Sequence, residues 1–363
     1  MERVGGKIMT PDGFIEGQIS FDEGVVLDVE EGRCTSEIEG VIIPTLINAH
    51  THVADLRVPI DTSLSLQELV QPPDGLKHRM LRGMNREELQ SVFCEASYLM
   101  FRRGTSMFVD FRESGLFGSM TLKESPLDGA QPLIMGRPSD LEFDREEMES
   151  LLEVVDGVGI SSISDWDYGE LEAVASLTRK RGRIFALHAS ERVKEDIDLV
   201  VDLRPDFLVH MNMATDHDLE VCADLDIPVV ICPRSNLFFG RTPPIAKMLD
   251  KGITLALGTD NAMISLPDML TEMEFAGRLL RQQGVMDVSP VLDMAINNGR
   301  KFLNLNDPIG IRPGSPCDFM VIGPRRGEAV TDLVLRSSTE DPLLVCKGNM
   351  IWREQGCAYS RKF

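Results

Sequence analysis

Five residues that can bind a metal ion each lie at the end of an apolar run of the sequence. They are His50 and His52 in VIIPTLINAHTH, His188 in RIFALHASE, His210 in DFLVHMNMA and Asp260 in TLALGTDNA. Residues two apart on a strand point to the same side, so His50 and His52 should project together. Neutral imidazoles and a carboxylate suit zinc or ferrous iron, and a catalytic site leaves one position open for water. A histidine can also settle in a core with one hydrogen bond, but five such groups at strand ends favour a metal site.

The runs that carry these residues belong to a series that predicts a parallel barrel. Eight apolar or β-branched runs end in polar residues: 41–52, 105–114, 132–140, 157–166, 183–191, 206–214, 228–236 and 254–262. The segments between them have apolar residues at spacings of three and four, which is typical of helices. Asn85 with Glu88, and Thr215 with Asp218, have the spacing of capping boxes. Eight strand–helix units predict an α/β fold, a distorted (β/α)8 TIM-like barrel, with its site where the strands end.

Both ends of the chain have a different pattern. Residues 1–40 contain short alternating runs around turns, and CDFMVIGP, LVLRSS and LLVCKGNMIW continue that style after residue 316. Such runs are typical of antiparallel strands. We therefore expect a small β-sandwich made by both termini, from residues 1–40 and 311–363, beside a barrel over residues 41–310.

The composition limits the class of partner. The formal charge of −21 and a pI near 4.7 oppose binding to nucleic acid or to an anionic membrane, because both need a positive face. The sequence contains no apolar stretch of membrane-spanning length and no signal-peptide core, which predicts a cytoplasmic protein. The seven cysteines form no C-x-x-C pair and are expected to be reduced and mostly buried. A small-molecule partner is favoured.

These residues together resemble the amidohydrolase superfamily, in its mononuclear deaminase-like group of cytosine deaminase, chlorohydrolase and adenosylhomocysteine deaminase relatives. The matching pieces are PTLINAHTH, HASE, the histidine of the sixth run, CPRSN, GTDN and the tail AINNGRKFLNLNDPIGIRPGSPCDFMVI. The resemblance implies one divalent metal ion per subunit, zinc first and iron second, held by His50, His52, His188 and Asp260. It also places His210 near the water on the metal. The sequence departs from the family pattern at Thr45, where glycine is common, and in a short segment 53–85. No lysine ends the fourth strand, which disfavours a binuclear site.

Such a site predicts hydrolysis. A divalent metal lowers the pKa of bound water towards about 7, which generates hydroxide at neutral pH. Asp260 can take the proton of the water, and His210 can stabilise the charge that forms. In the resembling deaminases the glutamate of H-x-x-E, here Glu191, protonates a ring nitrogen and then the departing amine. The alternative for Glu191 is an ordinary residue at the start of a charged helix.

The leading hypothesis is an aminohydrolase that deaminates a nucleobase, nucleoside, pterin or similar N-heterocycle. A chlorohydrolase or a cyclic amide or imidazolone hydrolase is the alternative on the same site, and an inactive scaffold homologue is a third possibility. A homo-oligomer is compatible with the sequence. Polar residues near the strand ends are candidate substrate contacts, although each could instead be structural: His78, Arg112, Glu113, Arg137, Asn236 and Asn261, with Arg234 as a further basic residue.

Overall fold

The computed structural model describes residues 1–32, 36–305, 310–325 and 327–354. Cys34, Cys357 and the end of the predicted C-terminal segment lie outside them. The strands are β1 (Glu2–Thr10), β2 (Gly13–Asp22), β3 (Val25–Glu31), β4 (Ile38–Ile43), β5 (Leu46–His52), β6 (Thr105–Arg112), β7 (Gln131–Gly136), β8 (Gly157–Ile160), β9 (Ile184–Ala189), β10 (Phe207–His210), β11 (Val229–Ile231), β12 (Leu255–Leu257), β13 (Asp260–Asn261), β14 (Asp318–Ile322), β15 (Leu344–Lys347) and β16 (Met350–Arg353).

The helices lie mostly between the strands β5 to β13. They are α1 (Leu66–Val70), α2 (Leu76–Arg82), α3 (Arg86–Arg102), α4 (Gly115–Lys123), α5 (Arg145–Val154), α6 (Tyr168–Lys180), α7 (Ile197–Asp202), α8 (Asp216–Asp224), α9 (Pro233–Phe238), α10 (Ile245–Asp250), α11 (Met269–Gln282), α12 (Ser289–Ile296), α13 (Asn298–Phe302) and α14 (Ala329–Arg336). Short 3-10 turns occupy Val53–Arg57, Ile163–Asp165 and Ser337–Thr339. The capping boxes predicted at Asn85 and Thr215 are both confirmed.

The nine strands β5 to β13 form one parallel sheet with the order β12-β11-β10-β9-β8-β7-β6-β5-β13. The strands β12 and β13 are pieces of one predicted run. β12 pairs with β11, and β13 pairs with the first strand β5, so the run 254–262 brings the sheet back to its beginning. This is the arrangement of a TIM-like barrel, whose strands all deliver their carboxyl ends to one mouth.

The first predicted run, 41–52, is two strands and not one. β4 belongs to the terminal sheet, where it pairs with β1 and β14, and β5 belongs to the barrel. Pro44 lies between them, and proline has no amide hydrogen to continue a ladder. The expected single strand is therefore wrong, and the chain changes sheets at this point.

Strands from both ends of the chain share a seven-stranded sheet with the order β16-β15-β14-β4-β1-β2-β3. That both termini meet was predicted, while their packing as a sandwich stays a prediction. The expected strand LVLRSS is wrong, because this segment lies in α14 and the turn after it. Its apolar residues Val330, Leu333 and Val334 have helical spacing, and the Glu328 carboxylate accepts hydrogen bonds from the first amides.

A buried polar cluster joins the terminal sheet to the barrel. An Arg300 terminal nitrogen lies 3.2 Å from both the Thr45 hydroxyl and Asp318 Oδ2, and Lys347 Nζ lies 3.1 Å from the same carboxylate oxygen. Ser106 also contacts Thr45. Threonine at position 45, where the resembling family commonly has glycine, is therefore part of this junction. Among the described residues, no helix has the combination of length and hydropathy that crossing a bilayer requires.

Candidate metal centre and active site

Four predicted ligands bring their side-chain atoms together at the carboxyl end of the barrel. His188 Nε2 lies 3.2 Å from His50 Nε2 and 3.4 Å from His52 Nε2, and Asp260 Oδ1 lies 3.3 and 3.6 Å from the same two histidine nitrogens. Ligands about 2.1 Å from a tetrahedral zinc ion are about 3.4 Å apart, so these separations match the edges of such a tetrahedron. All four side chains are buried. The cluster fits one divalent cation.

The backbone of β5 is irregular where it carries the first two histidines. Ile47 and Ala49 pack with Val109 and Phe111 in one apolar cluster, yet the His50 ring also lies against Phe111, with 4.4 Å between the ring centroids. Regular alternation along β5 would point the side chains of Ile47 and Ala49 to one face of the sheet and that of His50 to the other. The register of β5 against β6 shifts between Asn48 and Thr51, and this irregularity turns His50 inwards.

Hydrogen bonds orient two of the imidazoles. His52 Nδ1 lies 2.8 Å from Glu113 Oε1 and 3.1 Å from the Phe111 carbonyl, and His188 Nδ1 lies 2.8 Å from the Ile160 carbonyl. A hydrogen on each Nδ1 leaves the Nε2 lone pair facing the other ligands, which is the usual support for a metal-binding histidine. Such an arrangement favours the cation over a mere histidine cluster.

Burial keeps these histidines neutral. It lowers the pKa of His50 to about 4 and that of His52 to about 3, and the pKa of His188 also lies well below its usual value. Burial alone would raise the pKa of Asp260, but the hydrogen bond with His50 and the nearby imidazoles hold it well below the ordinary value. The site thus offers neutral nitrogens and one carboxylate.

The metal-free protein is expected to lose stability as the pH falls from about 7 to about 5. The unfolded chain binds protons at His50 and His52 below about 6.5, whereas the folded protein does not until about 4 and 3, so the free energy of unfolding rises with pH in this window. The loss should be about 2 kcal/mol per histidine at pH 5. Urea unfolding at the two pH values measures it. His52→Gln should reduce the slope and the exposed His217→Gln should not, and a flat profile would contradict neutral burial.

His210 occupies a different position from the four ligands. Asn236 Nδ2 lies 3.1 Å from His210 Nδ1, and Glu191 Oε1 lies 3.7 Å from His210 Nε2. An amide that donates to Nδ1 leaves the hydrogen on Nε2, where it can bind an oxygen but not a metal ion. Potential ligand atoms of His50, His188, His210 and Asp260 also lie within 4.8 Å of one another. The hydrogen bond from Asn236 favours His52 over His210 as the fourth ligand.

Glu191 lies beside His210 at the wall of a cavity of about 70 Å³ that opens to solvent. Its side chain is 21% exposed, and burial, the largest cause, raises the pKa of the carboxyl group above its ordinary value. A raised pKa keeps a carboxyl group protonated to higher pH, as a proton donor requires. The alternative of a surface residue at a helix start does not agree with this position, since Glu191 precedes α7 by several residues.

Two of the six predicted substrate contacts line the cavity: Arg137 and Asn261. His78 does not, because its Nε2 lies 3.0 Å from the Val70 carbonyl and joins α2 to the end of α1. Asn236 is also behind the wall, where it contacts His210. The prediction that His78 and Asn236 contact the substrate directly is therefore not supported by their positions.

Arg112, Glu113 and Arg234 also lie outside the cavity lining. Arg112 binds Asp110 at 3.0 Å and also contacts Glu113, and it has 2% side-chain exposure. Arg234 Nε lies 2.6 Å from Glu272 Oε2. These three residues take part in ion pairs, which were the structural alternative to substrate contact. Glu113 also accepts a hydrogen bond from His52 Nδ1.

Sequence reasoning missed several polar residues of the site, and two of them, Lys77 and Ser235, contact the residues described above. Lys77 lines the cavity although it lies in the segment after the first barrel strand, and its Nζ is 2.8 Å from Glu113 Oε1. The hydroxyl of Ser235 donates a hydrogen bond to Asp260 Oδ2, which leaves Oδ1 towards His50 and His52. The motif CPRSN contains Ser235 and Asn236 side by side, and these two residues contact Asp260 and His210, respectively. No spacing pattern in the sequence indicated Lys77.

Comparisons with known proteins identify the family and the fold of this chain. A model of the amidohydrolase family matches residues 41–349. An uncharacterized protein of Methanocaldococcus jannaschii is 32% identical and covers 85% of this chain and 86% of its own length. A 5-methylthioadenosine/S-adenosylhomocysteine deaminase of Haloarcula marismortui is 25% identical, with 88% and 83% covered. A zinc-bound adenosine deaminase structure from Xanthomonas campestris superposes with a TM-score of 0.78 at 18% identity, over 96% and 92% of the two chains.

The family model spans all of the barrel strands, β5 to β13, and extends past the end of β15, and it contains every residue of the metal cluster. The motifs at the ends of β5, β9, β10 and β13 predict this membership, and the family model confirms it over residues 41–349. The protein belongs to the amidohydrolase family.

Proposed function

We propose that this protein is a metal-dependent aminohydrolase that deaminates an N-heterocycle such as a nucleobase, nucleoside or pterin. The observation that carries the proposal is the cluster of three buried imidazoles and one carboxylate at ligand spacing, with Glu191 beside it in an open cavity. A bound divalent metal would supply a water molecule of lowered pKa. The chain's own residues would direct the proton transfers.

Asp260, His210 and Glu191 would divide this work. Asp260 would accept a proton from the attacking water, with its second oxygen held by Ser235. The Nε2 hydrogen of His210 would stabilise negative charge on the oxygen that adds to the ring carbon. Glu191 would protonate the ring nitrogen, receive the proton that Asp260 took from the water, and then protonate the departing amine, since ammonia leaves far more readily than amide anion. As ammonia leaves, the hydroxyl group on the ring carbon would return its proton to Glu191 and become the carbonyl group of the product.

The position of Arg137 supports the inference that the substrate carries an acidic or carbonyl-rich substituent. Its side chain is buried in the cavity wall, and the one hydrogen bond that it makes to the described residues is from Nε to the Gly159 carbonyl at 3.3 Å. The terminal nitrogens are free to form the paired hydrogen bonds with which arginine binds carboxylate or phosphate. The substrate class would thus be a heterocycle with such a group.

Arg137→Met is expected to raise KM for an acidic substrate about tenfold or more while kcat changes little, because a contact remote from the reacting carbon contributes equally to ground and transition states. Steady-state kinetics on paired substrates, with and without the acidic group, tests this. Arg181→Met is the control, since Arg181 is exposed and pairs with Glu149 on the outer surface. Equal loss on both substrates would contradict a contact with the acidic group.

Ammonia release tests the proposed reaction. Protein loaded with zinc or with iron is mixed with cytosines, adenosines, guanines, pterins and triazines. Release from one class supports deamination and names the substrate. If metal-loaded protein releases no ammonia, deamination is wrong, and chloride release or ring opening of cyclic amides and imidazolones would then support the alternative reactions on this site. An inactive scaffold would hold far less than one metal equivalent.

The finer features of the protein belong to the same proposal. We expect one divalent ion per subunit, zinc before iron. The predicted division into a barrel of residues 41–310 and a sandwich of residues 1–40 and 311–363 is kept, except that residues 41–43 belong to β4 of the terminal sheet. A cytoplasmic location and a homo-oligomer are expected as well. Elemental analysis and light scattering on the purified protein measure the metal equivalents and the subunit number.

A further inference from the structure

The segment between β5 and α3 lies over the mouth of the barrel. We call residues 53–84 the cover segment; it contains α1 and α2. A small apolar cluster around Val58 and Leu69 joins it to Met263, in the loop after β13. Val70, Gln71, Pro72 and Lys77 of this segment line the cavity beside the metal cluster. The cover segment is therefore a wall of the site and not a remote loop.

Lys77 is the charged residue through which the cover segment contacts the site. Its side chain is 3% exposed, and its Nζ lies 2.8 Å from Glu113 Oε1, 3.0 Å from Asn261 Oδ1 and 3.8 Å from Asp55 Oδ2. Glu113 directly follows β6, Asn261 lies in β13, and Asp55 lies in the turn after β5. A single ammonium group thus connects α2 of the cover segment to two places on the barrel mouth, Glu113 and Asn261, and to the beginning of the segment at Asp55.

Glu113 continues this contact to the metal cluster. The same carboxylate oxygen that binds Lys77 accepts a hydrogen bond from His52 Nδ1 at 2.8 Å. Arg112 contacts the other oxygen, Oε2. Glu113 is buried, and a buried carboxylate needs cations and hydrogen-bond donors to remain ionised. Without the ammonium group, Oε1 would keep only the hydrogen bond from the imidazole, which leaves both the charge and the orientation of Glu113 less well supported.

We propose that Lys77 is a positioning residue of the metal centre, which holds Glu113 against His52 and in the same contact fastens the cover segment over the cavity. Metal binding and closure of the cover segment are then coupled. This inference rests on the proposed function only in taking His50, His52, His188 and Asp260 as a metal site.

The coupling has a consequence that is independent of catalysis. If metal holds His52 in place, and His52 holds Glu113 and Lys77, then metal should also stabilise the cover segment, because a coupling free energy acts in both directions. Zinc should slow hydrogen exchange of amides in residues 53–84 more than that of other surface segments, such as α8. This comparison needs only the wild-type protein.

Lys77→Met tests the role of the ammonium group, with Lys77→Arg as a variant that keeps the charge. Arg79→Met is the matched control, since Arg79 is exposed on the same helix and its side chain contacts the Asp74 carbonyl. The dissociation constant for zinc, measured by chelator competition, should rise about tenfold or more in Lys77→Met, as when other groups behind metal ligands are removed. Lys77→Arg should recover part of this loss, and Arg79→Met should bind zinc as the wild type does.

Hydrogen exchange provides the second measurement on the same proteins. Zinc should protect the cover segment in the wild type and in Arg79→Met but not in Lys77→Met. A zinc dissociation constant within twofold of the wild type in folded Lys77→Met would overturn the proposal, as would a rise in KM alone, which would make Lys77 a substrate contact. Should Lys77→Met fail to fold, the absence of zinc protection over residues 53–84 in the wild type would overturn it equally.

These outcomes are separate from those of the proposed reaction. If the wild type binds zinc but releases no ammonia from any substrate, deamination fails while the zinc affinities still decide the role of Lys77. If the wild type releases ammonia and Lys77→Met binds zinc normally, the positioning role fails and the reaction stands.

Discussion

Glu191→Gln is expected to lower kcat/KM for ammonia release by about 100-fold to 10,000-fold, the range that a positioned general acid contributes. Glutamine has nearly the same size and hydrogen-bonding reach as glutamate but cannot deliver the proton that the ring nitrogen and the amine need. The raised pKa of Glu191 and its position 3.7 Å from His210 Nε2 suit it to that delivery. Steady-state ammonia release, with the zinc content of each preparation measured, gives the ratio.

The best control for Glu191→Gln is a change of leaving group. A chloro analogue of the substrate loses chloride, which leaves without a proton from the protein, so Glu191→Gln should depress this reaction much less than it depresses deamination. The zinc content should stay near one equivalent, because Glu191 is not one of the ligands. Equal loss on both leaving groups would show that Glu191 does not protonate the departing amine, because the two reactions share only the protonation of the ring nitrogen and the positioning of the substrate.

The metal cluster could be predicted from the sequence because its parts obey a rule that local sequence reveals. Parallel strands of a barrel all end at one mouth, so His188 and Asp260, 72 positions apart along the chain, could be assigned to one site before any contact was known. The identity of the ligand types then predicted the chemistry. The same reasoning predicted that Arg137 and Asn261 lie at this edge of the barrel, and both line the cavity there.

The predicted contacts that the positions of the residues do not support depended on side-chain partners that residue type and strand-end position do not reveal. Arg112 and Arg234 have the residue type and strand-end position of substrate contacts, but Asp110 and Glu272 already bind them. The inward turn of His50 needs an irregular register between two strands, which period-two alternation cannot show. Lys77 enters the site from a helix in the cover segment, and its partners come from elsewhere in the fold.

The run 41–52 shows the same limit for the fold. Its apolar residues are continuous, and a continuous apolar run is compatible with one buried strand or with two strands in different sheets. Pro44 is the local sign of the break, but only the pairing of β4 with β14, from the far end of the chain, makes two sheets necessary. Likewise LVLRSS is a short apolar segment whose sequence is compatible with a strand or with a helix, and the structure places it in α14 and the turn that follows.

His52→Ala and His210→Ala are expected to separate metal binding from catalysis, although both histidines lie next to the same cluster. His52 Nε2 lies 3.4 Å from His188 Nε2 and its Nδ1 contacts Glu113, so its loss should remove a ligand and leave well under one zinc equivalent after dialysis. His210 receives a hydrogen bond from Asn236 at Nδ1, which leaves Nε2 as a donor. His210→Ala should therefore retain zinc.

Although it retains zinc, His210→Ala should lose about 100-fold to 1,000-fold in kcat, as when one donor to a developing oxyanion is removed. Elemental analysis and kinetics on both variants test the pair, and His217→Ala on the exposed side of α8 should change neither quantity. The second ligand set that the geometry allows, with His210 in place of His52, gives the opposite pattern. Zinc lost from His210→Ala and kept by His52→Ala would establish that set, and would require the Asn236 amide to present its oxygen to His210 Nδ1 so that Nε2 is free to bind the metal.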